Sequence, residues 1–316
     1  MANKKYRAGE RVEFTVSFPL GARPLLPYVA SHLGVCARRA ERLFTLGAVR
    51  LDGRTLAADS AAALPRGARF EIVIPENWVP QLAAREMPLD ILYEDEHLLA
   101  VNKPAGIVVH PARGHLDGNT VQNGVLFRYR DDPNPDKTIA PPHRLDKDTS
   151  GVLLFSRTGE SYRALCAMMK NYAAEKTYLA ITDGDPRWET LTVDLPLGDH
   201  PTIYGIGAVV DLRDGGKPAR TDFRVLRRGT WRGNPWALVE ARPHTGRAHQ
   251  IRLHLQARGL PLAGDGDYNL CPRIRFPRQA LHASALAFAH PFTGAPLNLT
   301  APLPADMEKF INAGNS

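Results

Sequence analysis

The chain has 316 residues, 44% of them hydrophobic, a length typical of about two folded domains. No window approaches about 18 uninterrupted apolar residues and the first residues lack the apolar stretch of a signal peptide, so we expect a cytoplasmic protein without a membrane span. Its three cysteines, Cys36, Cys166 and Cys271, form no CxxC pair, which argues against a zinc site and predicts reduced, mostly buried thiols.

The net charge of +7 is concentrated in the first quarter of the chain. Residues 1–75 contain 12 Lys and Arg against 6 Asp and Glu, whereas the remaining residues contain 28 against 27. A basic segment beside a nearly neutral one indicates that the first binds a polyanion such as RNA or DNA. The alternative is a solvated basic face that binds nothing.

Residues 12–75 predict a small unit of two helices and a hairpin. Helices are predicted at 24–34 and 36–47, and strands at 12–18, 48–56 and 69–75. The second helix turns Ala40, Leu43 and Phe44 to one face, so its arginines are expected on the other. Asp52-Gly53 is a strong signal for a hairpin turn.

Residues 76–88 break the periodicity with prolines and are interpreted as a linker to a larger domain, 89–312. In that domain strands are expected within 90–103 and at 151–157, 176–182, 222–226 and 236–243, and helices at 159–172 and 247–259. Tyr172 is expected in the core of the first of these helices, and Ala248 on the inner face of the second. Strands predominate with few crossover helices, which favours an α+β fold with a mixed, mainly antiparallel sheet flanked by helices.

The segment HRLDKDTSG, residues 143–151, places the carboxylate of Asp146 between a basic residue and small, turn-forming ones. Such a carboxylate can act as a nucleophile or base only if it stays ionised and exposed, which needs a nearby cation and an open turn. Taken alone, the segment is more typical of an Asx turn or a helix cap.

Other polar residues of the larger domain also have ordinary interpretations when each is taken alone. Tyr178 is typical of a half-buried sheet aromatic, and Arg252 of a solvated helix side chain. Three histidines recur every five residues, about 140° apart on a helix, so they cannot converge on one metal ion. They are His244, His249 and His254. We expect neither a metal nor a cofactor.

The helices and hairpin of residues 12–75 resemble the alpha-L RNA-binding domain that is named after ribosomal protein S-four. In that family the second helix and the turn after it contact RNA phosphates. The resemblance therefore implies RNA contacts from Arg38, Arg39, Arg42 and Arg50.

Six ordered blocks of the larger domain resemble the RluA family of pseudouridine synthases. They are NKPAGIVVHP at 102–111, HRLDKDTSG at 143–151, KTYLA at 176–180, GRAHQIRLHL at 246–255, GDGDY at 264–268 and LHASALAFAHP at 281–291. The resemblance implies a pseudouridine synthase fold and the isomerisation of uridine in RNA. Three routes are compatible with a catalytic aspartate: attack at C6 of the base, attack at C1′ of the ribose, or stabilisation of a sugar cation.

The same resemblance implies roles for single residues. Asp146 would be the catalytic aspartate, Tyr178 would stack on the target base, and Arg252 would keep Asp146 ionised. Arg144 would enter the RNA stack beside the flipped-out base. Further contacts are expected from His143, which positions the loop, and from Lys103 and Arg247.

An N-terminal domain of this type favours large-subunit (23S) ribosomal RNA as the target, with transfer RNA as the alternative. We expect a monomer without an obligate protein partner.

One rival hypothesis is a non-catalytic RNA-binding factor of ribosome assembly. Another is an RNA glycosidase, in which Asp148 would be the second carboxylate that activates water.

Overall fold

The computed structural model of the protein describes residues 6, 9–35, 37–75, 82–111, 119–134, 137–203 and 205–313. The chain divides into two compact units, Met1–Leu82 and Ala83–Ser316, and each has its own hydrophobic core. Cys36 and residues 76–81 of the predicted linker lie outside the described residues. At the start of the second unit, the carbonyl of Ala83 accepts a hydrogen bond from Asn123 Nδ2 at 2.7 Å.

The described residues of the first unit form six strands and two helices. These are β1 (Arg11–Thr15), β2 (Leu20–Pro24), α1 (Leu25–Leu33), α2 (Ala37–Thr45), β3 (Val49–Leu51), β4 (Arg54–Thr55), β5 (Ala61–Leu64) and β6 (Arg69–Val73). Four strands form an antiparallel sheet of order β1-β6-β3-β4, and β2 pairs separately with β5. The helices and the sheet share one core, which contains the fully buried Leu25, Leu43 and Phe70.

The two helices and the hairpin of this unit are as predicted. Ala40, Leu43 and Phe44 of α2 are buried, so the apolar face of this helix packs inward. Asp52 and Gly53 have φ of 46° and 78°, which is the backbone geometry of a two-residue loop between twisted strands. Strand β2 is missed from the sequence because four of its five residues are exposed and give no alternation.

The arginines assigned to RNA in this unit lie on α2 and at β3. Arg50 is exposed, and Arg39 and Arg42 are partly exposed. The backbone of Arg38 belongs to α2, whereas its side chain lies outside the described residues. Their contact with RNA stays a prediction.

The second unit contains most of the secondary structure. Its elements are β7 (Ile91–Glu94), β8 (Leu98–Lys103), α3 (Val121–Arg128), β9 (Lys137–Ala140), β10 (Ser150–Thr158), α4 (Gly159–Lys170), β11 (Glu175–Thr182), β12 (Thr190–Asp194), β13 (Leu197–Asp199), β14 (Gly207–Val209), a 3-10 helix (Leu212–Asp214), β15 (Arg220–Trp231), β16 (Asn234–Pro243), α5 (Gln250–Gln256), β17 (Leu281–Ala289), β18 (Pro296–Thr300) and α6 (Ala305–Ala313).

Ten of these strands form one sheet within the described part of the chain. Eight follow the order β12-β15-β16-β11-β17-β10-β8-β7, while β18 pairs with β17 and β9 with β10. In the described sheet only β10 and β17 run parallel, and their register places Ser150 opposite His282 and Gly151 opposite Ala283. The predicted α+β fold with a mixed, mainly antiparallel sheet is confirmed.

Helix α5 is shorter than the sequence predicts. It begins at Gln250, and the residue before it, His249, has a left-handed backbone with φ of 55°. A left-handed residue cannot continue a right-handed helix, so Ala248 lies outside α5 and is exposed. The prediction that Ala248 faces inward is wrong.

Two expectations from composition can be compared with the described residues. Among these residues, no helix is both long and apolar enough to cross a membrane. The thiols of Cys166 and Cys271 are free. Cys271 is exposed, so the prediction of buried cysteines is wrong for this residue.

Because β10 approaches β17 closely at Gly151, one methyl group added there is expected to lower the stability of the fold strongly. Gly151 has φ of +114°, and a Cβ added there would lie 2.1 Å from the carbonyl oxygen of Ala283. Gly151→Ala is expected to destabilise the fold by about 3 kcal/mol or more, measured by urea unfolding. Gly159→Ala is the control, since its Cβ would meet the nearest atom at 3.5 Å, and it should change stability by less than about 0.5 kcal/mol. Equal losses in the two variants would contradict this.

Candidate active site

The segment 143–149 connects β9 to β10 and is held by bonds to its backbone. Thr149 N donates to the Asp146 carbonyl at 3.1 Å and closes a turn. Lys103 Nζ donates to the Lys147 carbonyl at 2.8 Å, and Arg278 Nη1 donates to the Asp148 carbonyl at 2.9 Å. The turn that the sequence predicts is therefore fixed by two distant basic side chains.

A cavity of about 530 Å³ lies beside this loop. Its walls come from the loop itself, the end of α4, strand β11 and the segment that leads into α5. Asp146, Tyr178 and Arg252, which are predicted to be catalytic, all line it. The fold brings them together although Asp146 and Arg252 are 106 residues apart in the chain.

The Asp146 carboxylate has different neighbours at its two oxygens. Oδ2 accepts from Arg252 Nη1 at 3.4 Å and from Gln279 Nε2 at 3.3 Å. Oδ1 lies 3.8 Å from His249 Nε2. The side chain is 28% exposed, so the carboxylate is both paired with a cation and open to the cavity.

Arg252 is buried, with 3% of its side chain exposed, and it makes its closest bonds to other acids. Nε and Nη2 bond to the two oxygens of Asp265, both at 2.7 Å, and Nη2 also bonds to Asp267 at 2.6 Å. Burial tends to lower the pKa of the guanidinium, but Asp265 outweighs it and the pKa is raised above its ordinary value. Arg252 is therefore a fixed charge, and its typical role as a solvated helix side chain does not apply.

The spacing of His249 excludes it as a metal ligand and no other role was predicted for it, yet it lies against the carboxylate. Its Nδ1 is 2.7 Å from the hydroxyl of Tyr268, and that hydroxyl accepts a hydrogen bond from Gly207 N at 2.9 Å. The phenolic proton is thus free to be donated to Nδ1, which leaves the imidazole proton on Nε2, facing Asp146. Burial lowers the pKa of His249, in keeping with this neutral form.

Tyr178 lies in β11, with Ala241 and Ala283 as its neighbours on the two adjacent strands. Burial, and then the charge of Asp146, raise the pKa of Tyr178 above its ordinary value. Its hydroxyl therefore stays protonated at neutral pH.

The cavity is also lined by His143, Arg144 and Arg247. His143 Nε2 accepts from Leu154 N at 3.1 Å, and burial lowers its pKa to about 4, with the nearby charge of Lys176 adding to the effect. Arg144 is exposed. Arg247 is partly exposed, with Nε bonded to the Pro218 carbonyl at 3.0 Å.

Lys103 does not reach the cavity surface. It is fully buried, and Nζ donates to the carbonyls of Pro104, Ile107 and Lys147 at 2.7, 2.7 and 2.8 Å. Burial lowers the pKa of its ammonium to about 7, against the opposing charges of Asp148 and Asp146. The predicted contact of Lys103 with RNA is wrong, because its three donors are used inside the protein to hold the loop.

Some residues around Asp146 carried little or no signal in the sequence. Gln279 Nε2 bonds both Asp146 and, at 2.8 Å, Thr149 Oγ1, but it lies before the block at 281–291 and belongs to no motif. Asp265 and Asp267 lie in the block GDGDY, but no role was predicted for either residue.

With this geometry established, comparison with known proteins identifies the family. A family model described as RNA pseudouridylate synthase matches residues 97–257, which include the loop, β11 and α5. An uncharacterized RNA pseudouridine synthase of Synechocystis is 38% identical over 92% of this chain and 89% of its own length. The chain belongs to this family. The synthase is an isomerase that converts uridine in RNA to pseudouridine, as the six RluA-like blocks predicted.

Other relatives of the synthase have more specific names. The ribosomal large subunit pseudouridine synthase D of Pseudomonas aeruginosa is 39% identical over 81% of this chain and 82% of its own length. The enzyme of the same name from Zymomonas mobilis is 36% identical over 85% of this chain and 86% of its own length. The solved structure of human RNA pseudouridylate synthase domain containing 1 has the same fold, with a TM-score of 0.57. It is 24% identical in sequence and covers 72% of this chain and 94% of its own length.

Acid is expected to destabilise the synthase through His143. The bond from Leu154 N needs an unprotonated Nε2, and the folded pKa is about 4 against an ordinary value of 6.5. The unfolded chain therefore binds this proton more readily. The contribution to stability is complete above about pH 6.5 and is lost as the pH falls towards 4, by about 3 kcal/mol at most.

Urea unfolding at pH 7 and pH 4.5 measures this loss. His143→Gln should lose less stability between the two pH values than the unchanged protein. His32→Gln, at an exposed position of the first unit, should lose as much as the unchanged protein. A His143→Gln variant with the full pH dependence would contradict the assignment.

Proposed function

We propose that the protein isomerises uridines of large-subunit ribosomal RNA and that Asp146 is its catalytic carboxylate. The observation that carries this proposal is the position of Asp146 in the cavity. Among the described residues that line the cavity, Asp146 is the only acid, and it accompanies five Lys and Arg side chains. Arg252, one of these, lies 3.4 Å from it.

Isomerisation breaks the bond from ribose C1′ to N1, turns the base, and joins C1′ to C5. The C5 proton is lost and N1 gains one, so no electrons enter or leave the reaction. Asp146 can attack C6, attack C1′ or stabilise a cationic sugar, and each route needs the ionised form. The guanidinium of Arg252, 3.4 Å from Oδ2, provides a positive charge beside the carboxylate.

The contacts of Asp146 also support different roles for its two carboxylate oxygens. Arg252 and Gln279 both donate to Oδ2, while Oδ1 has His249 at 3.8 Å, beyond hydrogen-bond length. We therefore assign Oδ1 as the oxygen that meets the substrate. His249 Nε2 would then orient this oxygen without neutralising it.

Tyr178 is proposed to stack on the uracil ring. Tyr178 lines the same cavity as Asp146, and its raised pKa keeps the hydroxyl neutral. A protonated phenol is a poor base, so stacking is a better role for Tyr178 than removal of the C5 proton.

The target base must leave its stack to reach Asp146, which costs a few kcal/mol and less in loops. Arg144 is exposed beside the cavity, and its planar guanidinium is suited to the vacated space. Arg247 lines the same cavity and is proposed to contact the RNA backbone. Residues 12–75, with the arginines of α2 and β3, are proposed as a second RNA-binding domain, joined by a linker, 76–88, to a catalytic domain, 89–312.

Ribosomal RNA is favoured as the target because relatives named for the ribosomal large subunit are 36% and 39% identical over most of this chain. The basic first quarter is consistent with a large, structured RNA. The glycosidase hypothesis loses its second carboxylate, since Asp148 is not among the described residues lining the cavity.

Asp146→Asn is expected to lower turnover by at least roughly 10³-fold, because the amide cannot supply the negative charge. The measurement is tritium release from RNA that carries [5-³H]uridine and was purified from cells lacking the gene. Asp148→Asn is the matched control and should stay within a few-fold of the unchanged enzyme. Full activity of Asp146→Asn, or its full complementation of a gene deletion, would refute the catalytic assignment.

The choice of RNA is tested by mapping pseudouridines with carbodiimide and reverse transcription in total RNA, with and without the gene. We expect the stops that disappear on deletion to lie in the large-subunit ribosomal RNA. Loss of stops in transfer RNA alone would overturn the ribosomal target and leave the isomerase activity intact.

A further inference from the structure

Helix α4 ends with a tyrosine in the place where helices commonly have glycine. Ala173 N donates to the Met168 carbonyl at 3.1 Å and Tyr172 N to the Met169 carbonyl at 3.3 Å, the two bonds of a Schellman motif. Tyr172 is the left-handed residue of this motif, with φ of 55°. A Cβ disfavours this conformation, so tyrosine is a costly residue for ending the helix.

Core packing does not account for this residue either. The spacing of apolar residues predicts Tyr172 in the core, but the left-handed backbone takes it out of the helical face and its side chain is 50% exposed. The prediction is wrong for this physical reason. Tyr172 instead lines the cavity, together with Met169 and Lys170 from the same turn.

The charges around this part of the cavity suit a nucleic acid strand. Lys170 is exposed and lies two residues before the tyrosine in the chain, and Lys176 lines the cavity after the turn into β11. Cationic side chains beside an exposed aromatic ring form the usual platform for single-stranded RNA, with the ring under a base and the cations along phosphates.

We propose that Tyr172 stacks on an unpaired base next to the target uridine and that Lys170 contacts the adjoining phosphate. This subsite is separate from Asp146 and Tyr178. It rests on the isomerase activity of the family, and it depends neither on the choice of ribosomal RNA nor on the role of Asp146.

Stacking at Tyr172 should act on RNA binding and leave the chemical step unchanged. When the target base leaves its stack, the neighbouring base loses a partner, and the tyrosine ring can replace it. A base on an aromatic side chain strengthens binding by about ten-fold or more. The Tyr172 ring takes no part in the reaction at C1′ of the ribose or C5 of the base. Its removal should therefore raise KM and leave kcat unchanged.

The test uses the full-length enzyme and tritium release from the same [5-³H]uridine-labelled RNA. Tyr172→Gly removes the ring and at the same time supplies the residue that the Schellman motif favours. This variant should have an unchanged or higher melting temperature, a KM raised about ten-fold, and a kcat within two-fold. Tyr172→Phe keeps the ring and should match the unchanged enzyme in KM.

Tyr162 provides the matched control, since it is a tyrosine of α4, 36% exposed, that is not among the described lining residues. Tyr162→Ala should leave KM unchanged. Lys170→Gln should raise KM and weaken its dependence on salt by about one phosphate contact. An unchanged KM in Tyr172→Gly overturns the proposal, as does an equal rise in Tyr172→Phe or a fall in kcat alone. Failure of the catalytic assignment would appear separately, in Asp146→Asn.

Discussion

The guanidinium of Arg252 is almost inaccessible to water, and a charge so placed is tolerated only with carboxylates around it. Asp265, itself buried, binds it through two parallel bonds that fix the plane of the group. The ring of Tyr268 lies 4.7 Å from the guanidinium carbon and closes another side. Because Arg252 is held in this way, its Nη1 is kept 3.4 Å from Oδ2 of Asp146 in a fixed orientation.

A second arginine, the partly buried Arg278, bonds to the segments that carry these groups. Arg278 bonds Asp306 of α6 and the backbone carbonyls of Asp148 and Leu281. Its own carbonyl is so close to Gly264, which has φ of +70°, that a Cβ there would approach it to 2.1 Å. The acidic loop after Gly264, the loop that contains Asp148 and the start of β17 therefore meet at one place.

Local patterns in the sequence predicted part of the secondary structure of both units, including α1, α2, α4, β10 and β11, because alternation and helical spacing reflect burial directly. The same patterns failed where one residue leaves the regular backbone. Ala248 and Tyr172 have the spacing of core residues, yet the left-handed conformations of His249 and of Tyr172 itself place both at the surface. Such a change of backbone conformation depends on contacts with neighbouring segments, and the periodicity of a single segment carries no information about those contacts.

For the site, the sequence by itself determined the chemical groups: a carboxylate in a turn, an aromatic in a strand and an arginine near a helix, in blocks ordered as in one enzyme family. It did not determine their partners. Lys103 was predicted to contact RNA and is a buried support of the loop. Gln279 lies outside all six blocks and His249 had no predicted role, yet both lie against Asp146. Only the tertiary structure decided these roles, because burial, hydrogen-bond geometry and the charge on a side chain arise from residues that lie far apart in the chain.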